Sequence, residues 1–65
     1  MHLKNLQKLR KERGKTQEGL AREAGISYHT LVKLENHGIR NPKIETVLRI
    51  AKALKVSLDD LVEAE

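Results

Sequence analysis

The sequence predicts an all-α fold, five short helices packed into one compact domain. Three observations carry that prediction. Apolar side chains recur at three- and four-residue spacings, and no period-two alternation lasts beyond a few residues. Breakers and capping residues (Gly14, Thr16, Gly25, Ser27, Gly38, Asn41 and Pro42) interrupt those stripes at intervals too short for long helices. The 65 residues include no cysteine, phenylalanine or tryptophan, so no disulfide or thiolate–metal staple is available and the core must be aliphatic. A chain of this size hides only about 60% of its unfolded surface, so its helices must pack efficiently. Residues 1–65 are read as a single domain, without internal repeat, low-complexity tract or linker.

The elements follow in order. Leu3, Leu6 and Leu9 line one side of a first helix that Gly14 ends, with Lys11 and Arg13 near its negative C-terminal pole. Thr16 is placed to cap a second helix that opens with Gln17 and Glu18 and turns Leu20, Ala21 and Ala24 inward. Gly19 is its weak point, costing up to about 1 kcal/mol relative to alanine. Gly25 stops this helix, Ser27 caps the third almost at once, and that third helix runs to about Asn36. Residues 37–43, HGIRNPK, form a loop. Ile44, Val47, Leu48, Ala51 and Leu54 give a 3.6-residue stripe for a fourth helix. Val56 and Ser57 break and recap the chain, and Leu58, Leu61 and Val62 form a short fifth helix with Asp59 and Asp60 in its first turn.

Charge is distributed unevenly. Residues 1–43 hold ten Lys/Arg against four Glu, and residues 44–65 hold three against five Asp/Glu, for a net charge of +4. A basic excess confined to one part of the chain suits a face turned toward a polyanion, although a lysine-rich solvated surface would look the same. No run approaches the roughly 20 apolar residues needed to span a bilayer, and residues 1–10 lack an apolar signal segment, so a cytoplasmic location without membrane contact is expected. His2, His29 and His37 share no ligand spacing, and no cysteine or paired carboxylate supports them, so no metal is expected. With no Gly-rich phosphate loop, no nucleophile–base pair and little room for a pocket, the chain is read as neither an enzyme nor a binder of cofactors or small molecules.

Residues 17–36 carry the most specific signal. Ala21 sits where two helices would cross closely, Gly25 where the turn wants a positive φ, and Leu20, Ala24, Ile26, Leu31 and Leu34 supply the contacts that fix the crossing. Seven positions agree over twenty residues with a helix-turn-helix formed by helices two and three, against the plainer alternative of an ordinary helical hairpin. Beyond this motif, TQEGLAREAGISYHTLVKLEN, then NP, then KIETVLRIAKALKVSLDDLVE closely resemble the Cro/phage-repressor (XRE-like) helix-turn-helix family from about Leu3 to Val62. The resemblance implies a five-helix domain of the phage-repressor type, with helix three in the DNA major groove and helix two crossing the backbone above it.

Carried over position by position, the resemblance implies base contacts from Tyr28, His29 and Lys33, with Thr30 beside them and Val32 at the edge. The chemistry suits each: lysine donates to guanine O6 and N7, neutral histidine donates or accepts, and tyrosine offers a ring and a hydroxyl. It implies phosphate contacts from Gln17 at the start of helix two, and from Thr16, Asn36, Arg40 and Lys43 around the groove. Arg10 and Glu35 match positions that often form an ion pair in this family, with Arg10 also facing phosphate. One departure stands out: His37 intervenes between Asn36 and Gly38, where the family commonly has glycine directly. Either helix three ends one residue later, or Asn36 or His37 itself adopts the left-handed conformation.

The function implied is a sequence-specific DNA-binding transcriptional regulator, most simply a repressor that binds a pseudo-palindromic operator on double-stranded DNA as a homodimer. Leu58, Leu61 and Val62 are candidates for sharing between subunits, since so small a body has difficulty burying all three. Small domains of this family also serve as antitoxins or as adaptors for a protein partner; on that alternative the acidic end, DDLVEAE, would meet the partner.

Overall fold

The computed structural model describes residues 3–36, 38, 39 and 41–62, and among them the order is α1 (Leu6–Glu12), α2 (Gln17–Ala24), α3 (Tyr28–Glu35), α4 (Ile44–Leu54) and α5 (Leu58–Val62), with no strand. No helix among these residues is long and apolar enough to cross a membrane. Helix α1 starts later than the leucine spacing suggests. Asn5 occupies its N-cap position but does not cap it; its backbone N–H donates to the Leu61 carbonyl (3.0 Å) and its side-chain amide to the Asp60 carbonyl (2.8 Å), tying the start of α1 to α5. Leu3 nevertheless reaches the core from the preceding turn.

Helix α4 packs chiefly on α2 and carries the largest share of the core: Val47, Ile50, Ala51 and Leu54 are buried, at spacings of three and four. The expected stripe was displaced by one strip of the helix surface. Ile50 is fully buried, whereas Ile44 and Leu48 are 55% and 50% exposed. The apolar surface of α4 is wider than the face α2 can cover, and the position of α2 selects the Ile50 side. Leu6, Leu20, Leu31, Val47, Ile50, Leu54 and Leu61 have essentially no exposed surface, and each such side chain contributes about 1.5–3 kcal/mol through burial. Leu58 and Val62 are partly buried against the same core. The domain that results measures 25 × 21 × 19 Å.

Two helix ends are closed from a distance. Arg13 donates its Nε–H to the Leu54 carbonyl (3.0 Å), and Arg49 donates to the Gly25 carbonyl (3.3 Å) while pairing with Glu45. These contacts join the α1–α2 and α2–α3 connections to α4.

Candidate nucleic-acid interface

The local chemistry of the α2–α3 unit follows its sequence closely. Thr16 accepts from the Gly19 N–H at 2.9 Å and starts α2. Gly25 closes it at φ 72°, ψ 31°, in the left-handed region where a Cβ is penalised, and the Ile26 N–H then reaches back to the Ala21 carbonyl (3.0 Å). Two residues later Ser27 accepts from the Thr30 N–H (3.0 Å) and its hydroxyl lies 2.8 Å from that of Thr30. The turn is thus fixed by backbone geometry at Gly25 and by a cap on each helix.

Helix α3 has two unlike faces. Leu31, Leu34 and Glu35 are buried, whereas Tyr28, His29 and Lys33 are exposed, Thr30 and Val32 lying between. The Tyr28 and His29 rings sit side by side, centroids 6.0 Å apart and planes tilted by 60°. Tyr28, His29 and Lys33 therefore share one outward strip, and Thr30 stands off it with its hydroxyl engaged by Ser27.

Beneath this strip lies a polar knot. The Arg10 guanidinium donates through Nε to Glu35 Oε2 (2.5 Å), through Nη2 to Glu35 Oε1 (3.2 Å) and through Nη1 to the Lys15 carbonyl (2.9 Å). The Gln17 amide donates to Glu35 Oε1 at 2.8 Å. The Arg10 and Glu35 side chains are only 9% and 1% exposed, so this is a desolvated, two-pronged ion pair. Among the described residues, every buried side-chain nitrogen and oxygen has a partner. Glu35 thus joins α1, the start of α2 and the end of α3.

The other residues named for the DNA backbone are distributed around this frame. Thr16 is exposed with its oxygen occupied as a cap, and Gln17 is half-buried at the first position of α2. Asn36 is exposed at the end of α3 with φ −94°, so it does not take the left-handed conformation; the helix ends there and the Gly38 N–H bonds back to the Lys33 carbonyl (2.7 Å). Lys43 is exposed at the N-cap of α4, where no side chain caps the free N–H groups. Arg40 and His37 lie outside the described residues. No local sequence pattern indicates the hydrogen bond from Gln17 to Glu35, whose partners are 18 residues apart.

Residues 6–61 match the helix-turn-helix family. The chain belongs to that family. It is a family of DNA-binding transcriptional regulators rather than of enzymes. This helix-turn-helix chain is 43% identical over 58 residues to an uncharacterized HTH-type transcriptional regulator, y4dJ, of Sinorhizobium fredii, covering 89% of this chain and 74% of that one. It is 37% identical over 65 residues to YqaE, an uncharacterized HTH-type transcriptional regulator of Bacillus subtilis; the match covers all of this chain and 55% of YqaE, so the chain spans only about half of that relative. Its fold superposes on the N-terminal DNA-binding domain of SinR from Bacillus subtilis with a TM-score of 0.87 at 28% identity, covering 94% of this chain and 88% of that one. A complex of SinR with SinI gives 0.89 at 28% identity, covering 97% of this chain and 61% of the other.

Proposed function

We propose that this domain represses transcription by binding a pseudo-palindromic operator as a pair of copies, each placing α3 in the major groove. The observation that carries the reading is the division of α3 into an anchored face and a free one. Leu31, Leu34 and Glu35 hold the helix, so Tyr28, His29 and Lys33 can meet base edges from a fixed platform. On this reading Lys33 donates to guanine acceptors, and Tyr28 and His29 read neighbouring bases or the thymine methyl group, with Thr30 at the margin. Gln17 spends one amide N–H on Glu35 and offers the other to a phosphate beside the N-terminus of α2. Thr16, Asn36, Arg40 and Lys43 flank the groove as further backbone contacts. Arg10, buried with its guanidinium divided between Glu35 and Lys15, supports the interface by fixing Gln17 rather than by touching phosphate.

Half-sites on such an operator lie about 34 Å apart, while the longest dimension of the domain is 25 Å, so one copy spans one half-site. Leu61 is fully buried and Leu58 and Val62 are packed on the core, which leaves Ile44 and Leu48 of α4 as the exposed aliphatic pair available to a second copy. Two side chains make a small contact, far below the roughly 1,000 Å² of a stable interface, so pairing is completed on the operator. Ile44→Ser with Leu48→Ser is expected to abolish cooperative occupation of the two half-sites while leaving half-site binding intact, as read by mobility shift; unchanged cooperativity would place the pairing surface elsewhere.

Selection from random duplex DNA at about 150 mM salt tests the function itself. A two-fold symmetric motif is expected. Enrichment of nothing by the folded protein would favour a second reading, an antitoxin or adaptor working through a protein partner; the likeness to SinR in its complex with SinI is the observation that supports it.

A further inference from the structure

A depression of about 520 Å³ lies between the C-terminal halves of α2 and α4. Lys15, Arg49, Lys52 and Lys55 surround it, Ala24 and Ala53 add methyl groups, and Glu23 is its one acidic residue. No residue of α3 lines it, so it is separate from the base-reading strip. Two of its cations are already engaged: Lys15 pairs with Glu23 (2.8 Å), and Arg49 pairs with Glu45 (3.0 Å) while donating to the Gly25 carbonyl. The Lys52 and Lys55 side chains are exposed and carry no ion pair or hydrogen bond among the described residues.

The backbone supplies an independent observation. Lys55 ends α4 at φ 59°, ψ 44°, the one described non-glycine residue with positive φ. Glycine takes this conformation without penalty, as Gly14 and Gly25 do after α1 and α2. A lysine here strains the backbone, and among the described residues its side chain makes no ion pair or hydrogen bond that offsets the strain. Such strain marks positions where the side chain is used for something other than folding. The helix dipole accounts for one cation at the end of α4; it does not account for a ring of them around a hollow.

We propose that this depression docks an acidic segment of a protein partner, one in which carboxylates alternate with small apolar side chains. The free Lys52 and Lys55 ammonium groups meet the carboxylates, and the Ala24 and Ala53 methyl groups receive the apolar residues between them. Glu23 on the rim opposes a uniform polyanion such as a nucleic acid. Arg49 is already committed to Glu45 and Gly25, which leaves the Lys52 and Lys55 ammonium groups as point charges for the ligand. The Glu23 carboxylate and the two alanine methyl groups therefore favour an acidic peptide with apolar residues over phosphate. The proposal is independent of the operator reading, since it uses a different face.

The test is a titration of the full ¹⁵N-labelled chain with a Glu-Ala repeat peptide, with inorganic triphosphate and a random duplex as parallel probes. Peptide-induced shifts are expected at Ala24, Lys52, Ala53 and Lys55 and not at Tyr28, His29 or Lys33. Lys52→Ala and Lys55→Gly are each expected to weaken the peptide about two- to fivefold, the range of an exposed ion pair. Lys55→Gly relieves backbone strain, so a loss of affinity in that variant cannot come from unfolding. Lys55→Arg should restore binding. Shifts confined to the α3 strip, unchanged affinity in Lys55→Gly, or triphosphate or duplex binding through the same residues more tightly than the peptide would each overturn the proposal.

Discussion

Glu35→Ala is the substitution that most directly probes how the reading helix is held. It leaves the Arg10 guanidinium in a site where its side chain is only 9% exposed, with the Lys15 carbonyl as the acceptor that remains. It also strips Gln17 of its acceptor. Removing one partner of a buried ion pair costs about 3–5 kcal/mol, because the other charge is left desolvated and unpaired. A 65-residue domain has roughly 3–10 kcal/mol of total stability at about 0.05–0.15 kcal/mol per residue. The variant should therefore be largely unfolded or lose at least about 12 °C in Tm, taking about 4 °C per kcal/mol as the lower bound for this size. Urea denaturation followed by circular dichroism at pH 7 measures it. The double variant Arg10→Met, Glu35→Leu removes both charges together and should recover most of the loss, since apolar replacement of a whole buried pair is often neutral. The loss should also change little between low and high salt, unlike that of a surface pair. A Glu35→Ala protein within about 1 kcal/mol of the parent, or a double variant as unstable as the two singles combined, would refute the view that Arg10 and Glu35 act as one desolvated unit.

Three further predictions concern the exposed residues. Lys33→Ala should weaken binding to the selected operator by about 1–3 kcal/mol and leave non-specific binding nearly unchanged; equal losses on both DNAs in a filter-binding assay would make Lys33 a phosphate contact. Lys43→Ala should weaken binding to all sequences and flatten the slope of log K against log salt by about one unit, and an unchanged slope would remove it from the interface. Lys55→Gly should stabilise the fold by about 0.5–1 kcal/mol, the left-handed penalty of a side chain less the greater chain entropy of glycine, seen as a rise in Tm; a fall would mean that Lys55 is not strained.

What could be read in the sequence was what is decided locally. Gly25 in its left-handed turn, the Thr16 and Ser27 caps and the inward leucines of α2 and α3 depend on residues within a turn or two, and the structure has each of them. Family resemblance added the pairing of Arg10 with Glu35, which no spacing rule gives. Long-range geometry escaped. Ile50 and Leu48 are equally apolar neighbours on α4, and only the position of α2 decides that Ile50 is buried and Leu48 left out. Asn5 stands at the N-cap position of α1, but its side-chain amide donates to the Asp60 carbonyl of α5, a partner 55 residues away that no local spacing indicates. The end of α4 after Leu54 follows from the break at Val56 and Ser57, but the left-handed conformation of Lys55 does not, because no glycine stands there to announce it.

The eight residues of α3 are too few to hold a helix in water by themselves, since isolated helices shorter than about 12–15 residues are marginal. Its order must therefore come from outside. At its start, Ser27 caps it and Arg49 fixes the Gly25 carbonyl just ahead of it; at its end, Glu35 is clasped by Arg10 and Gln17; between them Leu31 and Leu34 are buried. None of these anchors lies on the strip formed by Tyr28, His29 and Lys33. Support and readout are thus assigned to different residues of the same two turns of helix. A change on the strip alters what the helix can touch without loosening it, and a change at Glu35 loosens both the helix and Gln17 at once. The buried ion pair is in this way a positioning device as much as a stabilising one, because the same carboxylate sets the end of α3 and the amide beside the N-terminus of α2.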